Sequence, residues 1–194
     1  MTNLSPFLIY VFVTTFTPGP NNIVSMSNGM RYGYRNILRF LGGIFSGFFV
    51  VMALCGLLNI ALVNLLPQLK TGLKFLGAAY MLYLAFHIIF SKPVQDDVQE
   101  NGLNSFKAGF SMQFINVKVI LYGITIFSTF IVTEHQNPLI TAGFALLLAA
   151  VGLISTSCWA IGGNLFRRFL HKYNLVFNLS MGALLIYTAI ASLL

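Results

Sequence analysis

The stretch Thr17-Pro18-Gly19-Pro20-Asn21-Asn22 interrupts an apolar segment that otherwise reads as a membrane helix. Phe7 to Phe16 is almost wholly apolar, and the pattern resumes at Ile23, Val24 and Met26. Neither proline can continue a helical hydrogen-bond ladder, because each lacks an N–H and its ring clashes with the preceding turn. Gly19 between them lets the backbone leave helical geometry at little steric cost. Backbone groups freed at membrane depth are costly against lipid, so such a break persists only where protein buries it or where it lines a water-filled cavity. The stretch therefore reads as one wall of a binding site. The plainer alternative is a proline kink, since membrane helices carry more Gly and Pro than soluble ones. Two prolines, a glycine and two asparagines are more than a kink requires.

Only 8% of the residues are charged and 57% are hydrophobic. A soluble domain carries about 25% charged residues, so the chain reads as an all-α integral membrane protein, one transmembrane transporter domain over 1–194. The net charge of +7 does not point to nucleic acid, because the basic residues are scattered over short loops. The N-terminus has neither a basic run nor a small-residue cleavage site, so no cleaved signal peptide is expected.

Six spans are expected: Leu4–Met30 with its break, Phe40–Leu66, Thr71–Ser91, Phe106–Val132, Leu139–Ile161 and Leu175–Leu193. Pro67, Gln68 and Lys70 are expected to form the turn between the second and third spans, and Gly162-Gly163 to end the fifth. Gly43-x-x-x-Gly47 is a weak sign of close helix approach, and glycine faces on the second and fifth spans could pack within one subunit or between two, which leaves a homo-oligomer open. Arg31, Arg35, Arg39, Lys92, Lys107, Arg167, Arg168 and Lys172 flank the odd-numbered connections, against Lys70 and Lys74 at most for the even ones. That bias places the odd connections in the cytoplasm and both termini outside. Three spans followed by three make an inverted repeat, about 4–91 and about 106–193. Asn21 and Asn116 then fall in the first span of each half.

Helix 4 is also interrupted, at Asn116 and Lys118. Pro18 lies about 20 Å along the first span, and Lys118 about 16 Å into the fourth, at 1.5 Å per residue. Both arrive near the middle of a core of about 30 Å. Paired broken helices at corresponding positions point to a transporter's binding site. Pro20 suits the first position of a second half-helix, where a missing N–H costs nothing. The free N–H groups of that half-helix favour an anion. Asn21, Asn22 and Asn116 offer donors and acceptors, and Lys118 adds a full positive charge. Carbonyls left open before the break could accept from an ammonium group. A small zwitterion satisfies both sets, so the substrate-binding candidates are Pro18, Gly19, Pro20, Asn21, Asn22, Asn116 and Lys118.

No acid lies in any span, since Asp96, Asp97, Glu100 and Glu134 are all in connections. Lys118 must then pair with backbone carbonyls, asparagine oxygens or a bound anion. Snorkelling to the interface is the dull alternative, and its stem is short for that depth. It is also the one candidate for carrying a coupling proton. His87 reads as interfacial, His135 and His171 as loop residues, and Trp159, Tyr173 and Tyr187 as an aromatic belt. Tyr80, Tyr83 and Tyr122 are deep enough to line a cavity or merely to pack. No metal-ligand spacing and no activated nucleophile occurs, so neither cofactor nor enzyme activity is expected. Cys55 and Cys158 occupy comparable places in the two halves, which raises two rival functions: a thiol–disulfide relay, and, for any pore of this kind, passive passage of a small solute.

Pro18-Gly19-Pro20-Asn21, Arg31 to Arg35 and Asn116-x-Lys118 resemble the LysE/RhtB family of amino-acid exporters over essentially the whole chain. Phe114 to Thr125, Ser128-Thr129-Phe130, Leu54-Cys55 and Cys158-Trp159-Ala160 resemble its cysteine and O-acetylserine exporting branch. The resemblance implies efflux of a small amino acid across the bacterial inner membrane, driven by the proton gradient. It also implies that Pro18 to Asn21, Asn116 and Lys118 are the functional motif positions. Much of the family has Asn-Pro-Lys where this chain has Asn116-Val117-Lys118, so the second break is expected to be softer than the first.

Overall fold

The computed structural model describes residues 4–90, 103–131, 137–165 and 173–193. Lys92, Asp96, Asp97, Glu100, Glu134, His135, Arg167, Arg168, His171 and Lys172 lie outside the described residues. The described residues form helices and no strand. They are α1 (Leu4–Phe16), α2 (Pro20–Tyr32), a 3-10 turn (Tyr34–Ile37), α3 (Leu38–Leu57) and α4 (Asn59–Ile89). Then come α5 (Phe106–Ile115), α6 (Val117–Ile126) with a π-helical turn (Phe127–Ile131), α7 (Pro138–Leu165) and α8 (Asn174–Leu193).

Three stretches are long and apolar enough to cross a membrane: Tyr34–Leu57, Thr71–Ile89 and Pro138–Leu165. The bent pair Phe106–Ile115 and Val117–Ile131 makes a fourth if it is one span, while Leu4–Phe16 and Leu175–Ala191 are shorter apolar helices. Polarity runs from inside to outside in the membrane sense. Leu8, Ile9, Phe12, Phe75, Phe86, Leu139 and Ile154 are exposed, whereas Asn22, Ser25, Asn28, Gln113, Asn116, Ser155 and Asn178 are buried. Such an arrangement would be insoluble in water and is at home in lipid. The chain is a multi-pass helical membrane protein.

The most buried element is also the most polar one. Helix α2 carries Asn21, Asn22, Ser25, Ser27, Asn28 and Arg31, and eleven of its thirteen residues are buried. Its start is set by Gly19, whose extended backbone (φ −172°, ψ 175°) precedes Pro20 at the first helical position. Gly33 ends it at φ 79°, a conformation only glycine adopts without strain, and its N–H bonds to the Gly29 carbonyl at 3.0 Å. Helix α5 is capped by the Ser105 hydroxyl, which accepts from the Ala108 N–H at 3.1 Å.

The helices pack in pairs: α2 on α7, α3 on α5, α4 on α8, with α3 also against α7. Glycines allow the closest of these approaches. A Cβ on Gly43 would collide with the Phe106 carbonyl, and one on Gly109 with that of Phe40. At the other pair, Gly29 faces the Ala160 carbonyl and Gly163 that of Met26. Gly43 and Gly47 thus serve α3 against α5 within this chain.

Three expectations need correction. The chain turns at Leu58 (φ −100°, ψ 17°), and α4 continues through Pro67, Gln68 and Lys70 without a turn. A proline removes a hydrogen bond and can bend a helix, but it does not by itself reverse the chain. Helix α7 runs past Gly162-Gly163 to Leu165, because Gly163 is needed for close packing rather than for a cap. The interruption of the fourth span lies at Asn116 alone, with Lys118 inside α6, and α5 and α6 meet there at 62° without a proline. Asn116 is extended there (φ −76°, ψ 95°), and Val117 is wedged against Gly77 of α4. Packing supplies what the absent proline would have supplied.

Candidate functional site

The break between α1 and α2 frees the carbonyls of the last turn of α1, and each finds a donor. The Thr15 carbonyl accepts from Asn22 Nδ2 at 2.9 Å and from the Ser155 hydroxyl at 2.9 Å. The Phe16 carbonyl accepts from the Trp159 indole N–H at 3.2 Å. The Thr17 carbonyl accepts from Asn22 Nδ2 at 2.9 Å and from Lys118 Nζ at 3.1 Å. Lys118 Nζ also donates to the Thr17 hydroxyl at 3.0 Å and the Pro18 carbonyl at 3.4 Å. A cation thus sits at the negative end of a helix dipole, where it is favoured. Among the three partners open to Lys118, the structure selects backbone carbonyls.

The two breaks are joined by an amide cluster. Asn21 Nδ2 donates to Gln113 Oε1 at 2.8 Å, and Gln113 Nε2 returns a bond to Asn21 Oδ1 at 3.2 Å. Asn116 Nδ2 donates to the same Asn21 oxygen at 3.0 Å. Gln113 is fully buried and also donates to the Gly109 carbonyl at 2.9 Å. These bonds fix α2 to the α5–α6 corner.

Both half-helix starts open on one cavity. Helical bonding in α2 begins with the Ile23 N–H to Gly19, and in α6 with the Val119 and Ile120 N–H groups to Asn116. Neither start has a side-chain cap. The cavity, with an empty volume of about 440 Å³ counting its mouth, is lined at these starts by Gly19, Pro20, Asn21, Asn22, Asn116 and Lys118. Its further walls are Thr14 and Thr15 of α1, Ile44 and Phe48 of α3, Val119 and Tyr122 of α6, and Gly152 and Thr156 of α7.

Six of the seven residues expected at the site line this cavity. Pro18 does not; it is exposed, and contributes only its carbonyl to Lys118. Asn22 lines the cavity with its amide committed to holding the elbow. The freed carbonyls are not left open for a substrate ammonium, because asparagine, serine, tryptophan and lysine take them. Trp159 is therefore a brace for α1 rather than a belt residue. Tyr80 and Tyr83 stand away from the cavity and stack on one another, centroids 6.1 Å apart, while Tyr122 lines it. Gln113, Ser155 and Thr156 were not anticipated; each is a polar residue inside an apolar run, the one signal that marks them. Cys55 is buried and Cys158 exposed, and both are free thiols. His87 is exposed beside Tyr83.

A lysine and two helix N-termini brought to one cavity inside an apolar helical bundle are the arrangement of a membrane translocator. The family description "LysE type translocator" matches residues 12–194, and the chain belongs to that family. It is 41% identical to a cysteine/O-acetylserine efflux protein of Klebsiella pneumoniae subsp. pneumoniae, over 97% of this chain and 96% of that one. Proteins of the same description from Escherichia coli and Shigella sonnei are 40% and 39% identical over the same shares. No solved structure matches the chain.

Proposed function

We propose that this chain exports small amino acids of the cysteine and O-acetylserine kind from the cytoplasm across the bacterial inner membrane, by proton-driven alternating access. The observation that carries the reading is the ammonium of Lys118 held at the rim of a cavity onto which both half-helix starts open. Two helix N-termini and a lysine suit a carboxylate. An arriving carboxylate replaces the Thr17 and Pro18 oxygens as the partner of Lys118. The substrate's ammonium then turns to the amide oxygens of the Asn21 and Asn116 cluster. Pro18, Gly19 and Pro20 keep the first helix open, and Asn22 holds it so.

The reading treats 1–194 as a single transporter domain of six spans in two inverted repeats, about 4–91 and about 106–193. It is supported by the order of elements: a broken helix followed by two further helices, α1–α2 with α3 and α4, recurs as α5–α6 with α7 and α8. The half-helix α1 with α2 answers α5 with α6. Rocking one repeat against the other then exposes the cavity to each side in turn. Both termini lie on the outer side in this arrangement. Proton coupling follows if substrate carboxylate and loss of the Lys118 proton compete for one ammonium.

The test is efflux from proteoliposomes loaded with candidate amino acids, with and without a pH gradient. Saturable efflux with counterflow is expected, faster when the gradient is imposed. Flux that neither saturates nor shows counterflow would mean a passive channel. Efflux indifferent to the gradient would remove protons from the mechanism.

A further inference from the structure

Tyr122 is placed one helical turn beyond Lys118 on α6, and both line the same cavity. Residues four apart share a helix face, about 6 Å apart along the axis. That separation is comparable to the length of a small amino acid. The Tyr122 ring is clamped: it stacks on Tyr10 with centroids 5.8 Å apart and planes at 11°, and lies 6.0 Å from Phe48. Its hydroxyl is buried without a hydrogen bond of good geometry among the described residues, and the Thr15 side chain is the polar group within its reach. Tyrosine hydroxyls buried in this way normally find a partner, and an unpaired buried one is costly. A rigidly held, unpaired hydroxyl at the wall of a transport cavity is a group whose partner comes and goes.

The rest of that wall narrows the partner. Thr156 commits its hydroxyl to the Gly152 and Leu153 carbonyls, at 2.9 and 3.1 Å. Ile44, Phe48, Val119 and Gly152 are apolar. Among the described residues, no charged group other than Lys118 lines the cavity.

We propose that Tyr122 is the specificity-determining residue of this site, its hydroxyl bonding the heteroatom of a small, neutral substrate side chain: a thiol, a hydroxyl or an ester oxygen. Basic and acidic side chains find no counter-charge there, and purely aliphatic ones leave the hydroxyl unpaired. The inference rests on the reading of the cavity as an amino-acid site.

The pair that tests it is L-cysteine, kept reduced, and L-2-aminobutyrate, which has a methyl group in place of the thiol. Transport of each is measured in proteoliposomes for the wild-type chain and for Tyr122→Phe, which removes one unbonded oxygen and keeps the ring. The wild-type chain is expected to prefer cysteine. The variant should lose about 10-fold in kcat/KM for cysteine, mostly through KM, and far less for 2-aminobutyrate. The stabilisation of the protein against heating by added cysteine should shrink in parallel. Equal losses for both substrates, or an unchanged preference, would overturn the assignment and leave Tyr122 a packing residue. If the wild-type chain carries neither compound while retaining its fold, the amino-acid reading itself fails, and this inference falls with it.

Discussion

Lys118 has no acid to pair with among the described residues, and its ammonium is satisfied by three oxygens of the Thr17–Pro18 elbow. Those oxygens in turn depend on it, since the Pro18 carbonyl has no other donor among the described bonds. Lys118→Met should therefore cut transport about 10- to 100-fold, the scale of losing a hydrogen bond from a charged group, about 1.5–3 kcal/mol. Lys118→Arg keeps the charge, but a planar fork does not reproduce three bonds fanned from one nitrogen. It should recover only a small part of the loss, as initial efflux rates would show. The amide cluster carries a different expectation. Gln113→Leu breaks two bonds of the half-buried Asn21, whose oxygen keeps Asn116 while its Nδ2 is left unsatisfied, at a cost of about 1–3 kcal/mol. A lower melting temperature in detergent should accompany any loss of transport. The motif residues stand out in the sequence because asparagine, proline and lysine are rare at membrane depth. Gln113 carries the same mark but lies in a run whose register could not be set without the partner helix. Tyr122 was visible as a deep tyrosine, yet nothing in one sequence separates a tyrosine that packs from one that faces a cavity.

Adjacent glycines on α3 and α7 make a sharp test of how the helices meet. Gly42 has nothing within 4 Å of an added Cβ, whereas Gly43 would drive one into the Phe106 carbonyl. On α7, Gly162 is open and Gly163 abuts the Met26 carbonyl. Gly42→Ala and Gly162→Ala should be neutral or stabilise by about 0.4–1 kcal/mol through reduced freedom of the unfolded chain. Gly43→Ala and Gly163→Ala should each cost several times that, because backbone cannot yield as a side chain can. Thermal unfolding of the four variants in detergent is the measurement; matching results within each adjacent pair would refute the packing described. The positions of the breaks were legible from composition alone, because proline and extended asparagine act locally. The ends of α3, α4 and α7 were not. Leu58 carries no turn signal, Pro67 carries a false one, and Gly162-Gly163 reads as a stop when one of the two is an interface. Each is decided by a neighbouring helix, and no local rule contains that neighbour.

At the level of the whole chain, the proposed inverted repeat makes α1–α2 correspond to α5–α6, so α2 on α7 would answer α6 on α3, and α5 on α3 would answer α1 on α7. Of these contacts α2 with α7 and α5 with α3 are the extensive ones, and α3 against α7 joins them. An even number of spans follows if α1–α2 and α5–α6 each cross once, and then both termini share one side. The proposed orientation takes its side from charge: Arg35 in the 3-10 turn and Arg39 at the start of α3 are exposed, and the basic-loop bias would put them in a cytoplasmic connection. Replacing Cys55 and Cys158 by serine should leave transport intact, since one thiol is buried, the other exposed and neither is in a disulfide; loss of transport would revive the thiol relay. That cysteine-free chain then accepts single reporters. Arg35→Cys should react with an impermeant thiol reagent only when the cytoplasmic face is opened, in inverted vesicles. A cysteine added ahead of Met1 or after Leu194 should react in intact spheroplasts. Labelling of the two ends from opposite faces would mean an odd number of crossings, and one of the broken helices would then be a re-entrant loop rather than a span. That outcome would separate the cavity from the alternating-access cycle, because a repeat that does not cross cannot rock against one that does.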